Sequence, residues 1–248
     1  MIVIKNQREI ELMRKAGKIV AMVHQKMKES ITVGISTKQL NEIAESVIIN
    51  AGAVPSFKNY NGFPASICVS VNEVVVHGFP SDYVLKDGDI VSIDVGACYK
   101  GYHGDSAMTY PVGNISQEAR NLLRIAKQSL YEGLKYAKQG GRLTNISHAI
   151  GEFLVDNGYS TPIEFTGHGV GSKLHEDPMI PNYGLADRGP ILRAGMTLAI
   201  EPMVHIGQRH IEVLEDGWTA ITKDRSLAAH YEHTIVIVDG GYEILTKL

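Results

Sequence analysis

Two aspartates, Asp94 and Asp105, interrupt IVSIDVGACYKGYHGDSAMTYPV, a run that otherwise reads as an apolar β-hairpin turning near Lys100. Side chains along a strand alternate with period two, so an even-numbered loop puts both carboxylates on one face of adjacent strands. Flanked by Ile93, Val95, Ala107 and Met108, they are expected to be at least partly buried. Two like charges so placed are unfavourable unless one takes a proton or a cation lies between them. A turn or edge position satisfied by backbone N–H groups is the bland alternative for either Asp alone. The second half of the chain repeats the anomaly, with Glu201 in TLAIEPMV and Glu232 in HYEHTIVIV. If the two halves pack face to face, four carboxylates converge. With one imidazole they form an oxygen-rich ligand set for two divalent cations, which bridging carboxylates hold roughly 3.5 Å apart.

The candidate imidazole is His168 in TGHGVGSKLHEDP, followed seven positions later by His175. Its flanking glycines let a backbone approach closely and are expected to make a tight turn rather than a helix. A histidine in a Gly-rich loop is otherwise an ordinary solvated residue. His24, His103, His148, His205, His210, His230 and His233 read as surface or hydrogen-bonded polar groups. Of these, His103 and His233 lie close enough in sequence to the acids to orient them from behind.

These side chains need a scaffold, and periodicity supplies one. NQREIELMRKAGKIVAMVHQKMKES places Ile10, Met13, Ala16, Gly17, Val20 and Val23 on one helical face, and STKQLNEIAESVIINAG starts at a Ser/Thr cap and ends at Gly52. β-rich runs follow. The second half repeats the order, with helical SQEARNLLRIAKQSLYEGLKYAKQG and RLTNISHAIGEFLVDNGY, then strands in MTLAIEPMVHI, HIEVLED and YEHTIVIVDGGYEILT. The expectation is an α+β fold with a weak twofold repeat, its helices covering one face of a largely antiparallel sheet. One domain over residues 1–248 is expected, with halves of about 1–113 and 114–248.

Composition narrows the class. The 248 residues carry a formal charge of −3, which implies no polyanion-binding surface and no nucleic-acid specificity. Neither a signal peptide nor a membrane span is legible, so a cytoplasmic protein is expected. Cys68 and Cys98 suggest neither a disulfide framework nor a zinc site. Lys5, Arg8, Arg14, Lys15 and Lys18 read equally as a transient ribosome contact and as a solvated helix face.

Taken together, VNEVVVHGFP, SIDVGACYKGYHGDSAMTY, TGHGVGSKLHEDP, LAIEPM and YEHTIVI resemble the methionine aminopeptidases of the short bacterial type, members of the pita-bread metallohydrolases. The resemblance spans nearly the whole chain and implies a pita-bread fold around a dinuclear centre. It implies that Asp105 and Glu232 bridge two ions, that Asp94 completes one site, and that His168 with Glu201 completes the other. His77 and His175 would contact the substrate backbone and steady the tetrahedral intermediate, with Glu201 taking the proton of a metal-bridged water. The donor set accepts Co²⁺, Mn²⁺, Fe²⁺ or Zn²⁺. Tyr60, Phe63, Cys68 and Trp218, with His77, would form a methionine pocket, although these aromatics alone read as core residues. Asn61 and Leu174 stand where many relatives have His and Phe. The implied activity is removal of the initiator methionine from nascent chains with a small second residue, by a monomer. Proline-specific relatives usually carry an added N-terminal domain, and non-catalytic binding relatives are expected to lose metal ligands; neither pattern matches.

Overall fold

The computed structural model describes residues 1–248. Helix α1 (Gln7–Ser30) starts at Asn6, whose side chain accepts from the Glu9 N–H while the Glu9 carboxylate accepts from the Asn6 N–H. That reciprocal cap satisfies two N–H groups that a helix start leaves unpaired. Ser36 and Gln39 repeat the device at α2 (Thr37–Asn50). Six positions of α1 spaced by three or four, Ile10, Met13, Ala16, Gly17, Val20 and Val23, are all buried, as the periodicity predicts.

Strands β1 (Val54–Pro55), β2 (Ile67–Val71), β3 (Val74–Val76), β4 (Ile90–Tyr99) and β5 (Tyr102–Pro111) complete the first half. The second begins with α3 (Gln117–Leu134) and α4 (Leu143–Asp156). After these come β6 (Gly167–Gly169), β7 (Glu176–Ile180), β8 (Thr197–Ile200), β9 (Met203–His205) and β10 (Ile211–Val213). The chain closes with β11 (Ala220–Thr222), β12 (Ala228–His230), β13 (His233–Val238) and β14 (Gly241–Ile244). Every pairing is antiparallel.

The strands form four sheets rather than the one expected. In the first, β4 pairs with β1, β2 and β5; a five-stranded sheet runs β14-β13-β8-β6-β7; β10-β11-β3 and β12-β9 are smaller. One cause lies in MTLAIEPMVHI, read as a single strand: Pro202 has no N–H to give a ladder, and the chain breaks there into β8 and β9. Each half keeps its own apolar core. One, spanning Ile19 to Val112, lies among α1, α2, β2 and β4; the other is built on α3, α4, β8 and β13.

Helix α1 lies against the β4–β5 hairpin at two glycines. A Cβ on Gly104 would sit 2.7 Å from the Gly17 nitrogen, and one on Gly17 would sit 2.3 Å from the Leu245 carbonyl oxygen. Gly104→Ala must therefore push the helix off the hairpin and is expected to cost about 1–3 kcal/mol of stability, measurable by urea denaturation. An unchanged midpoint would show that the contact yields freely.

Candidate metal centre

The β4–β5 hairpin turns through Lys100 and Gly101, both with left-handed backbone (φ 50° and 85°), the two-residue turn whose twist matches the flanking strands. Its register pairs Tyr99 with Tyr102, which sets Asp94 opposite Ala107 and Asp105 opposite Gly96. The carboxylates thus share one face as diagonal neighbours, the disposition the sequence predicts. Glu201 follows β8, and Glu232 lies in the short break between β12 and β13.

Hydrogen bonds across the seam between the halves fix this arrangement. The Asp105 N–H donates to Thr234 Oγ1 (3.0 Å), and that hydroxyl donates to the Asp105 carbonyl (2.8 Å). The Ser106 hydroxyl donates to the Glu232 carbonyl (2.6 Å), and the Glu232 N–H donates to the Ala107 carbonyl (2.8 Å). His103 and His233 do not play the expected part behind the acids. Their Nδ1 atoms pair with the Ser56 and Thr246 hydroxyls instead, because the seam is closed by Thr234 and Ser106.

His168 sits on β6, not in the expected tight turn. Its glycine neighbours serve close packing: a Cβ on Gly167 would lie 2.4 Å from the Ala199 carbonyl oxygen, and one on Gly169 would lie 2.0 Å from that of Asp177. His168 Nδ1 lies 2.8 Å from the Gly169 carbonyl, so Nδ1–H donates there and the Nε2 lone pair faces the acids. Nε2 is 3.4 Å from Glu201 Oε1 and 3.9 Å from Asp105 Oδ2. Burial pushes the His168 pKa down to about 3, so the ring is neutral, as a ligand must be.

Four buried or nearly buried acids now surround one cavity of about 250 Å³ with no lysine or arginine in its wall. Burial pushes the Asp94 pKa up to about 7. Burial, then the neighbouring acids, raises Asp105 and Glu232 well above the carboxylate range, and burial does the same for Glu201. Asp94 Oδ1, Asp105 Oδ1 and Glu232 Oε1 are buried without a hydrogen-bond partner. Orphaned oxygens beside a neutral imidazole, in a site without a fixed positive charge, are a set that divalent cations satisfy. Asp105, His168 and Glu232 offer ligand atoms within 4.8 Å of one another, and so do Glu201, His230 and Glu232.

His230 was missed by the sequence reading. It is buried, its Nε2 has no hydrogen-bond partner, and that atom lies 3.6 Å from Glu201 Oε2. The signal was its position two residues before Glu232, close enough in sequence to share its site.

The rest of the cavity is apolar. Tyr60, Phe63, Cys68, Phe165, Leu174 and Trp218 line it, and the Phe63 ring meets Trp218 edge-on at 5.2 Å. The exposed Asn61 is at its rim with left-handed backbone (φ 48°). His77, also left-handed (φ 61°), packs edge-on against Phe165 and Trp218, and burial pushes its pKa down to about 4. A bulky residue held at positive φ costs about 1–3 kcal/mol, a strain that concentrates at functional sites. His175 is exposed at the mouth, 4.3 Å from the His168 ring centroid, with Nδ1 2.7 Å from the Tyr60 hydroxyl.

The model of metallopeptidase family M24 matches residues 11–239. The chain belongs to that family. This M24 metallopeptidase is 56% identical to methionine aminopeptidase 1 of Bacillus subtilis and 53% identical to a methionine aminopeptidase of Clostridium perfringens, in both cases over the full length of both chains. A methionine aminopeptidase of Thermotoga maritima has the same fold, with a TM-score of 0.99 and 47% identity over all of both chains. The architecture is the pita-bread fold, and the M24 metallopeptidase is a divalent-metal hydrolase of the aminopeptidase type.

Proposed function

We propose that this enzyme removes the initiator methionine from nascent polypeptides whose second residue is small. The observation that carries the reading is the continuity of one cavity, in which the orphaned carboxylates meet an apolar pocket of aromatic rings and a thiol. A flexible thioether packs well against such walls.

Two divalent ions, Co²⁺, Mn²⁺, Fe²⁺ or Zn²⁺, would be held by the side chains of Asp94, Asp105, His168, Glu201 and Glu232. When bound, they would polarise the scissile carbonyl and make water nucleophilic near neutral pH. The side chains divide the remaining work. Tyr60, Phe63, Cys68 and Trp218 hold the methionine side chain. His77, neutral because it is desolvated, donates to the substrate backbone without adding charge. With Tyr60 donating to Nδ1, His175 carries its proton on Nε2 and steadies the developing oxyanion. Glu201 receives the proton released as water attacks.

The reading extends to one catalytic unit with halves of about 1–113 and 114–248, acting as a monomer in the cytoplasm. No helix is long and apolar enough to cross a membrane. The basic face proposed for ribosome contact is smaller than the sequence suggested, because Lys5 precedes α1 and is buried; Arg8, Lys15 and Lys18 remain exposed.

The test is cleavage of peptides beginning with Met or with other residues, by protein stripped of metal and restored with each ion separately. Release of Met alone from Met-Ala-Ser supports the reading, and equal release of Leu or Lys from matched peptides contradicts it. His77→Ala is expected to slow that cleavage about 100-fold while leaving Mn²⁺ binding intact. Loss of Mn²⁺ binding in that variant would remove His77 from the substrate side of the site.

A further inference from the structure

Lys5 lies outside the machinery described so far, yet it is one of the most deeply buried charged groups in the protein. Its ammonium is 2.5 Å from Glu176 Oε2, with the two side chains only 2% and 7% exposed. The segment that carries it is fixed independently, since the Lys5 N–H donates to the Gly195 carbonyl (2.8 Å). Glu176, the first residue of β7, directly follows His175, and its other oxygen accepts from the Lys173 N–H (3.2 Å). One carboxylate therefore closes the loop between β6 and β7 from inside, while the ammonium ties it to the body of the protein. Gly171 makes room for the pair: a Cβ there would lie 2.5 Å from both Lys5 Cε and Glu176 Oε1. The loop is also held from β5, where the His103 N–H donates to the Gly171 carbonyl (2.9 Å).

We infer that the Lys5–Glu176 ion pair positions the His175 imidazole over the metal centre, so that residues 171 positions apart act together in the reaction. The inference rests on the proposed role of His175. His175 ends the six-residue loop between β6 and β7, and its exposed ring touches only Tyr60 and His168 at the mouth, so the backbone beneath it must be fixed to hold the ring within the tolerance that catalysis demands. A buried pair supplies that restraint, and losing either partner leaves the other charge buried and uncompensated. Lys5 and Glu176 are thus positioning residues, acting through His175 and touching no substrate.

The test is a double-mutant cycle on Met-Ala-Ser cleavage with Mn²⁺-loaded protein. Lys5→Met should lower kcat by about 10- to 100-fold with KM and Mn²⁺ affinity within about twofold of wild type, because His168 on β6 is held separately. In a His175→Ala background the same substitution should produce no further loss, since the group it positions is gone. Should Lys5→Met fail to fold, Glu176→Gln carries the same cycle. Equal losses in both backgrounds, or an unchanged kcat with a lowered Tm, would overturn the inference. Histidine NMR separates this inference from the reading beneath it, because the ring signals report position whether or not Met-Ala-Ser is cleaved. Lys5→Met should shift the His175 ring resonances and leave those of His24, on α1, in place; unshifted His175 signals would also overturn it.

Discussion

Asp105→Asn is expected to reduce turnover of Met-Ala-Ser by about 10⁴-fold or more. Asp105 faces His168 Nε2, shares the hairpin face with Asp94, and is anchored through its own backbone to Thr234. An amide keeps its shape and one oxygen but removes the charge that a bridging ligand provides, so Mn²⁺ affinity should fall with activity. The fold should not suffer, because the Thr234 bonds use only the Asp105 backbone. Relieving the repulsion among buried acids should even raise the Tm of the metal-free variant above that of the metal-free parent. Wild-type turnover in a well-folded Asp105→Asn protein would refute the assignment of the centre.

The second large effect is the pH dependence of the metal-free protein. A carboxyl whose folded pKa is raised imposes no penalty below its unfolded value near 4, because both states are then protonated. As pH climbs toward the folded pKa, the unfolded chain has released a proton that the folded one retains, and stability falls. For Asp94 that window ends near 7, and Asp105, Glu201 and Glu232 are shifted in the same direction. Buried histidines act with the opposite sign. His24 and His77 are pushed down to about 4 and His168 to about 3, so their contribution is lost as pH falls below the unfolded value of about 6.5. The two groups oppose one another on the acid side, and above about pH 6.5 only the carboxylates remain. Chelator-treated protein should therefore lose about 3–5 °C of Tm per pH unit for each retained proton between about pH 6.5 and 8. Saturating Mn²⁺, which needs ionised ligands, should flatten or reverse that slope. Parallel Tm curves with and without the ion would show that the acids are not its ligands.

Much of this site was legible in the chain because charge in an apolar strand is a local anomaly. The period-two rule placed Asp94 and Asp105 on one face, and the turn at Lys100 and Gly101 delivered the register. The Ser cap before α2 and the spacing of the α1 core residues made the helices equally plain, while the Asn6–Glu9 cap of α1 emerged only with the structure. What escaped depends on distant contacts. His230 looks like any polar residue until the pairing of β12 with β9, which sets it opposite Met203, brings it against Glu201. The glycines around His168 suggested a turn, although they serve to let β6 approach β7 and β8. Lys5 read as part of a basic helix face because its partner, Glu176, lies 171 positions away in the sequence. The division into four sheets follows from breaks such as Pro202, visible as a residue but silent about where the chain goes next.

Anomalous diffraction from crystals soaked in Mn²⁺ addresses the centre itself. Two peaks among the side chains of Asp94, Asp105, His168, Glu201 and Glu232, separated by roughly 3.5 Å, are the expected result. An empty map there, with the four carboxyl groups protonated and paired to one another, would contradict the account.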